Sequence, residues 1–173
     1  MMDQAALAKR VKETSYLEGD FLLRSGKRSK YYMDKYLFET QPDILVALGA
    51  RMAQRRSGVT TRIAGAELGG VALAAATSLA AGLPFIIVRN SKKDYGTSKM
   101  IEGTLLPGDT VLLVEDIATT GGQVLEAAKI IVEAGARVEK IVAVIDRQEG
   151  ARENIEKAGY IFEAILTRAD LGI

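Results

Sequence analysis

Apolar positions along this chain fall into two regimes, a mixed opening stretch and, from residue 62, a regular alternation of strand and helix. In the opening stretch, residues 4–12 have the pattern of a short amphipathic helix, with Asp3 as its N-cap. Apolar residues 21–23 and 31–33 flank Ser25-Gly26-Lys27-Arg28 and predict two strands around a basic turn. A helix starts at Pro42, a residue suited to the first helical position. Ile44, Leu45, Leu48 and Met52 keep helical spacing there, and Gly58 lies past its end.

The second regime reads as strand Arg62–Ala66, helix Gly69–Ala81 closed by Gly82, and strand Phe85–Val88. It continues as strand 111–114, helix 123–134 closed by Gly135, strand 141–145, helix 151–158 closed by Gly159, and strand 160–166. These strands are apolar throughout rather than alternating, which predicts an α/β fold with a parallel sheet covered on both faces. Right-handed crossovers then bring the strand C-termini to one edge, where ligands bind in such folds. Residues 89–106 break the rhythm. The polar stretch from Arg89 to Lys99 holds four basic residues, Arg89, Lys92, Lys93 and Lys99, against the single acid Asp94. A connection of that length inside a small domain is functional or disordered.

With 173 residues the chain has the length of one domain. Its formal net charge of +1 supplies no global pull toward nucleic acid or an anionic membrane, so an anionic ligand needs a local cluster. Cysteine and histidine are both absent. That excludes disulfides, thiolate or histidine-based nucleophilic chemistry, and Cys/His metal sites, leaving a hard cation such as Mg²⁺ on oxygen ligands. The first ten residues lack the apolar core of a signal peptide, and the longest apolar run, 71–81, is too short to span a bilayer. A cytoplasmic protein without membrane or nucleic-acid partners is expected.

The chemistry concentrates in Val114-Glu115-Asp116-Ile117-Ala118-Thr119-Thr120-Gly121-Gly122-Gln123. A buried strand delivers two adjacent carboxylates, and a hydroxyl- and glycine-rich loop then opens into a helix. Gly121 and Gly122 let backbone amides approach an anion, and the helix dipole favours it. Thr119 and Thr120 offer hydroxyl donors. Glu115 and Asp116 repel a phosphate but accept from sugar hydroxyls, so the combination suits a sugar phosphate. The alternative is a plain helix start capped by Asp116 and Thr119.

This stretch resembles the signature that type I phosphoribosyltransferases use for 5-phosphoribosyl 1-diphosphate (PRPP), and the chain as a whole resembles the orotate branch of that family. The resemblance implies a type I core with a small N-terminal hood, residues 1–40 binding substrate over a core of 41–173. It implies PRPP contacts at Arg24, Arg89, Lys93, Tyr95 and residues 115–123, that is Glu115, Asp116, Ile117, Ala118, Thr119, Thr120, Gly121, Gly122 and Gln123. Orotate contacts fall at Tyr32, Thr119 and Arg147, a guanidinium fork for the carboxylate that distinguishes orotate from uracil. Gly65-Ala66-Glu67-Leu68-Gly69-Gly70 resembles the pyrophosphate loop of the family.

Lys93, Glu115 and Asp116 are the implied catalytic residues, with Mg²⁺ bound mainly through PRPP and no direct protein ligand. The loop 89–101 resembles one that closes over the active site of a neighbouring subunit, which implies a homodimer. Asn90 stands where a lysine is usual and Tyr95 where a histidine is usual, two departures that bear on turnover rate. The implied reaction is orotate phosphoribosylation in de novo pyrimidine (UMP) biosynthesis. Rival readings are a phosphoribosyltransferase for a purine or uracil, and a regulator sensing PRPP or a nucleotide on the same fold.

Overall fold

In the computed structural model, residues 2–22, 26, 28–90 and 99–173 are described. Helix α1 (Gln4–Ser15) begins as expected, with Asp3 extended and its Oδ1 accepting from the Ala6 amide at 2.8 Å. It continues to Ser15, beyond the predicted 4–12, because Leu7, Ala8 and Val11 bury a stripe against the core and Ser15 is buried too. Strands β1 (Tyr16–Leu22) and β2 (Arg28–Met33) form an antiparallel hairpin, with Tyr16 opposite Met33. Both are longer than the apolar triplets predicted for them. Their polar residues lie on the exposed side and pair through the backbone, which carries no hydropathy signal.

Two helices follow. The short α2 (Lys35–Glu39) has no trace in the periodicity; Asp34 caps it, accepting from the Tyr36 amide at 3.1 Å. Helix α3 (Pro42–Ala53) starts at Pro42, buries Ile44, Leu48 and Met52, and is capped by Gln54 rather than by the more distant Gly58. The remaining elements are β3 (Arg62–Ala66), α4 (Gly69–Ala81), β4 (Phe85–Val88), β5 (Ile101–Glu102), β6 (Thr110–Ala118), α5 (Gly122–Glu133), β7 (Arg137–Asp146), α6 (Ala151–Lys157), β8 (Phe162–Thr167) and α7 (Arg168–Leu171).

Among the described residues the large sheet has the order β5-β4-β3-β6-β7-β8. It is parallel from β4 to β8, as expected, and the two-residue β5, which the sequence pattern does not predict, joins β4 antiparallel at the edge. Along β6, Leu112 and Val114 pack into the cluster formed with α1, α3 and α4, while Val111 and Leu113 pack into the one formed with α5 and α6. Both faces are covered, so the strand has no polar side, as its unbroken apolar run requires. The anticipated glycine stops hold: Gly82, Gly135 and Gly159 all take the left-handed conformation that ends a helix. Gly65 pairs with Val114, Ala66 with Val88 and Ala118 with Asp146, so β3, β4, β6 and β7 end along one edge.

Candidate active site

Strand β6 runs to Ala118 rather than stopping at Val114, so Glu115 and Asp116 belong to the sheet itself, 7% and 2% exposed. Burying two adjacent carboxylates is costly unless each finds partners. Asp116 finds them on three sides. Its Oδ2 accepts from Lys35 Nζ at 2.6 Å, its Oδ1 accepts from the Ile117 amide, and it lies against Gly69 at the start of α4. A Cβ at Gly69 would stand 1.7 Å from that Oδ2, so only glycine admits the carboxylate there. Glu115 is less satisfied: Oε1 accepts from the Asp116 amide at 3.3 Å, and Oε2 is buried with no partner among the described residues. Burial first, and the neighbouring Asp116 second, push Glu115 well above the usual carboxylate range.

The loop leaves β6 through Thr119 and Thr120, both exposed, and enters α5 at Gly121. Gly121 has φ +81 and no side-chain cap, so the alternative of Asp116 and Thr119 as helix caps is not what the chain adopts. The loop closes instead on α6, where Asn154 Nδ2 donates to the Thr120 carbonyl at 2.9 Å. First-turn amides of a helix lack intrahelical acceptors, and residues 121–124 border a cavity of about 610 Å³. Tyr32, Lys35, Glu115, Asp116, Thr119 and Arg147 line the same cavity, which also takes in Ile117 and Ala118 at the strand end.

Arg147 follows the last residue of β7, and its amide donates to the Ala118 carbonyl at 2.9 Å. Its Nη2 donates to the Tyr31 hydroxyl at 3.2 Å and to Glu149 Oε1 at 3.1 Å. Tyr31 stacks on Tyr16, with ring centroids 5.4 Å apart, so the N-terminal hairpin reaches the core strands through this arginine. Tyr32, 44% exposed, faces the cavity with Phe21 as its ring neighbour at 5.7 Å.

A second cavity, of about 590 Å³, lies on the other flank of the α5 N-terminus and includes Arg89, Asn90, Gly122 and Gln123. Arg89 Nη1 is 3.9 Å from both the Glu67 and Glu102 carboxylates. Asn90 bonds the turn after β3: its amide donates to Glu67 Oε1 at 2.7 Å and its Nδ2 to the Glu67 carbonyl at 2.9 Å. Gln123 Nε2 donates to Asn90 Oδ1 at 3.4 Å. Lys93, Tyr95 and Arg24, named from the sequence, lie outside the described residues.

Two groups at the acid pair escape sequence reasoning. Lys35 is held above its ordinary pKa: burial lowers it, but the hydrogen bond and charge of Asp116 outweigh that. Glu39, 3% exposed, is pushed up to about 8 by burial and then by the Asp116 charge. A lysine and a glutamate four residues apart otherwise look like an ordinary helix-surface pair. Among the described residues no cluster of three or more His, Cys, Asp or Glu side chains could hold a metal, and no helix is long and apolar enough to cross a membrane.

Comparison with known proteins gives a consistent result. The family model for the phosphoribosyl transferase domain matches residues 38–168. The orotate phosphoribosyltransferase of Methanocella arvoryzae is 42% identical over 166 residues, covering 95% of each chain. Among solved structures, the orotate phosphoribosyltransferase of Mycobacterium tuberculosis in complex with Fe(III) dicitrate is similar, with a TM-score of 0.89 and 32% identity over 99% of this chain and 100% of that one. The same enzyme in complex with PRPP matches with a TM-score of 0.83 and 30% identity, covering 99% of this chain and all of the other.

Proposed function

The chain belongs to the phosphoribosyltransferase family, and within it we infer the orotate branch: it transfers the phosphoribosyl group of PRPP to orotate, giving orotidine 5′-phosphate and pyrophosphate for pyrimidine biosynthesis. One observation carries this reading at the level of residues. A buried acid pair, a helix N-terminus behind a threonine- and glycine-rich loop, and a guanidinium at the neighbouring strand end line a single cavity.

Breaking the anomeric C–O bond makes the ribose cation-like and the pyrophosphate more negative. The chain opposes each charge with its complement. The loop from Thr119 to Gln123 receives the 5-phosphate, and Glu115 and Asp116 accept from the ribose hydroxyls. Burial disfavours the ionised form of Glu115 in the free chain. A positive charge building on the ribose favours it, so part of its attraction is realised only as the bond breaks. Arg147 reads the orotate carboxylate while Tyr32 offers a flat face to the base ring.

At the leaving group, Arg89 and the loop residue Lys93 supply positive charge, with Arg24 and Tyr95 as further donors to PRPP. Mg²⁺ carried by PRPP adds charge neutralisation at the pyrophosphate oxygens. With neither cysteine nor histidine in the chain, the side chains offer oxygen donors, which suit a hard cation of that kind. Residues 1–40 act as a hood over the core of 41–173, in a cytoplasmic homodimer whose loop 89–101 completes the partner site. The strongly exposed Val46 and Leu79, on the packed helices α3 and α4, offer apolar surface for that pairing.

The test is a substrate panel. Purified protein with PRPP and Mg²⁺ is expected to consume orotate, followed as loss of its absorbance, and to leave adenine, guanine, hypoxanthine, xanthine and uracil untouched. Turnover of a purine or uracil instead would overturn the base assignment. PRPP binding without turnover of any base would favour a sensing role and point to Asn90 and Tyr95.

A further inference from the structure

The acid pair is flanked by a cation that belongs to neither the phosphate loop nor the leaving-group side. Lys35 lies at the first position of α2, far from β6 in sequence, and its ammonium meets Asp116 Oδ2 at 2.6 Å with the lysine side chain 30% exposed and the aspartate side chain 4% exposed. With Lys35 on one oxygen, the Ile117 amide on the other and Gly69 packed beside it, Asp116 has little freedom to turn. Glu115 differs: one of its oxygens has no partner among the described residues, although the residue borders the cavity. We propose that Lys35 is a positioning residue for PRPP binding, acting through Asp116: it holds that carboxylate in place at the end of β6, where the acid pair borders the cavity.

The surroundings make the ammonium necessary. Glu39, on the same short helix, and Glu115, on the same strand, are both buried carboxyl groups, and burial and then the Asp116 charge push both above the usual carboxylate range. Helix α4, which supplies Gly69, has no charged residue. Lys35 is therefore the counter-charge that the buried Asp116 meets at hydrogen-bond distance between two carboxyl groups that burial keeps from ionising. Without it a buried carboxylate loses its counter-charge, and the strand end that carries both acids is free to rearrange.

This inference rests on the reading of the acid pair as the ribose site, and its test reads PRPP binding directly. Titration calorimetry with PRPP and Mg²⁺ is done on the wild type, Lys35→Met, Asp116→Asn and the double variant. Lys35→Met is expected to weaken PRPP by on the order of tenfold or more. Lys35→Arg, which keeps the charge, should recover most of that loss. In the Asp116→Asn background Lys35→Met should cost nothing further, because the group it acts through has lost its charge.

A similar loss in both backgrounds would mean that Lys35 touches PRPP itself, and no loss in either would mean that it does not matter; each outcome overturns the proposal. If Lys35→Met fails to fold, Lys35→Gln closes the same cycle, retaining a donor without the charge. A wild-type chain that does not bind PRPP would instead overturn the functional reading beneath the proposal.

Discussion

Glu115 and Asp116 sit within a sheet strand at 7% and 2% exposure, whereas Arg147 and Arg89 follow the ends of β7 and β4 with side chains 19% and 25% exposed. The acids have a fixed frame: strand register, the Lys35 contact and the glycine at position 69. The cations stand beside glutamates of their own, Arg147 next to Glu149 and Arg89 near Glu67 and Glu102. Burying a charge costs most when it must be done during the reaction, so an acid held in the sheet meets that cost on folding. An arginine paired with a half-exposed glutamate can trade it for an anionic substrate at small cost, since such pairs contribute little in water. The ribose side is thus preorganised, and the anion-binding side exchanges partners.

That contrast can be broken or sharpened at several points. The largest effect is expected at the leaving group, where Lys93→Ala should lower turnover by about 10²–10³ while weakening PRPP much less. Steady-state kcat beside the PRPP dissociation constant checks this, and an affinity loss with intact turnover would remove Lys93 from the chemistry. Arg147→Ala should come next. It is expected to raise the KM for orotate by on the order of 10²-fold with the KM for PRPP nearly unchanged, as when a charge-assisted bond to a carboxylate is lost. If both constants rose together, the guanidinium would be holding the site together rather than reading the base.

A stability measurement probes the acidic side. Glu39 keeps its proton up to about pH 8 in the folded chain, against an ordinary value of 4.5. Below 4.5 folded and unfolded chains are both protonated. Between the two values only the folded chain holds the proton, so this contribution to stability falls as pH rises through 8. Glu39→Gln does not titrate. Its thermal midpoint should gain on the wild type as pH is raised from 6 to 9, by roughly 2–4 °C for each kcal/mol that the wild type loses. Parallel pH curves for the two proteins would show that Glu39 ionises freely.

The smallest effect is expected at Glu149. Glu149→Gln removes the anion that orotate must replace at Arg147, and should lower the orotate KM by about two- to fivefold without changing kcat. A raised KM would instead make Glu149 a support for the guanidinium.

Much of the fold is legible in the linear chain for identifiable reasons. Covered strands must be apolar on both sides, and three of the core helices stop at left-handed glycines, so β3, β4, β6 and β7 and the ends of α4, α5 and α6 can be placed within a few residues. Glu115, Asp116 and the Thr-Thr-Gly-Gly turn are contiguous, which is why the phosphate and ribose side is readable in the chain alone. Elements held by backbone pairing or by distant packing leave no such trace: the polar reaches of the hairpin, the short helices α2 and α7, and the edge strand β5.

The charge balance of the acid pair belongs to the second group. Lys35 and Asp116 are 81 positions apart, and only the packing of α2 over the end of β6 brings them to 2.6 Å. The same packing buries Glu39 and gives Gly69 its purpose. The sequence by itself determined which residues could do the chemistry, because local spacing and side-chain type suffice for that. The tertiary structure decided which of them carry charge, which are held still and which can exchange partners, because burial and long-range neighbours set the energy of a charge.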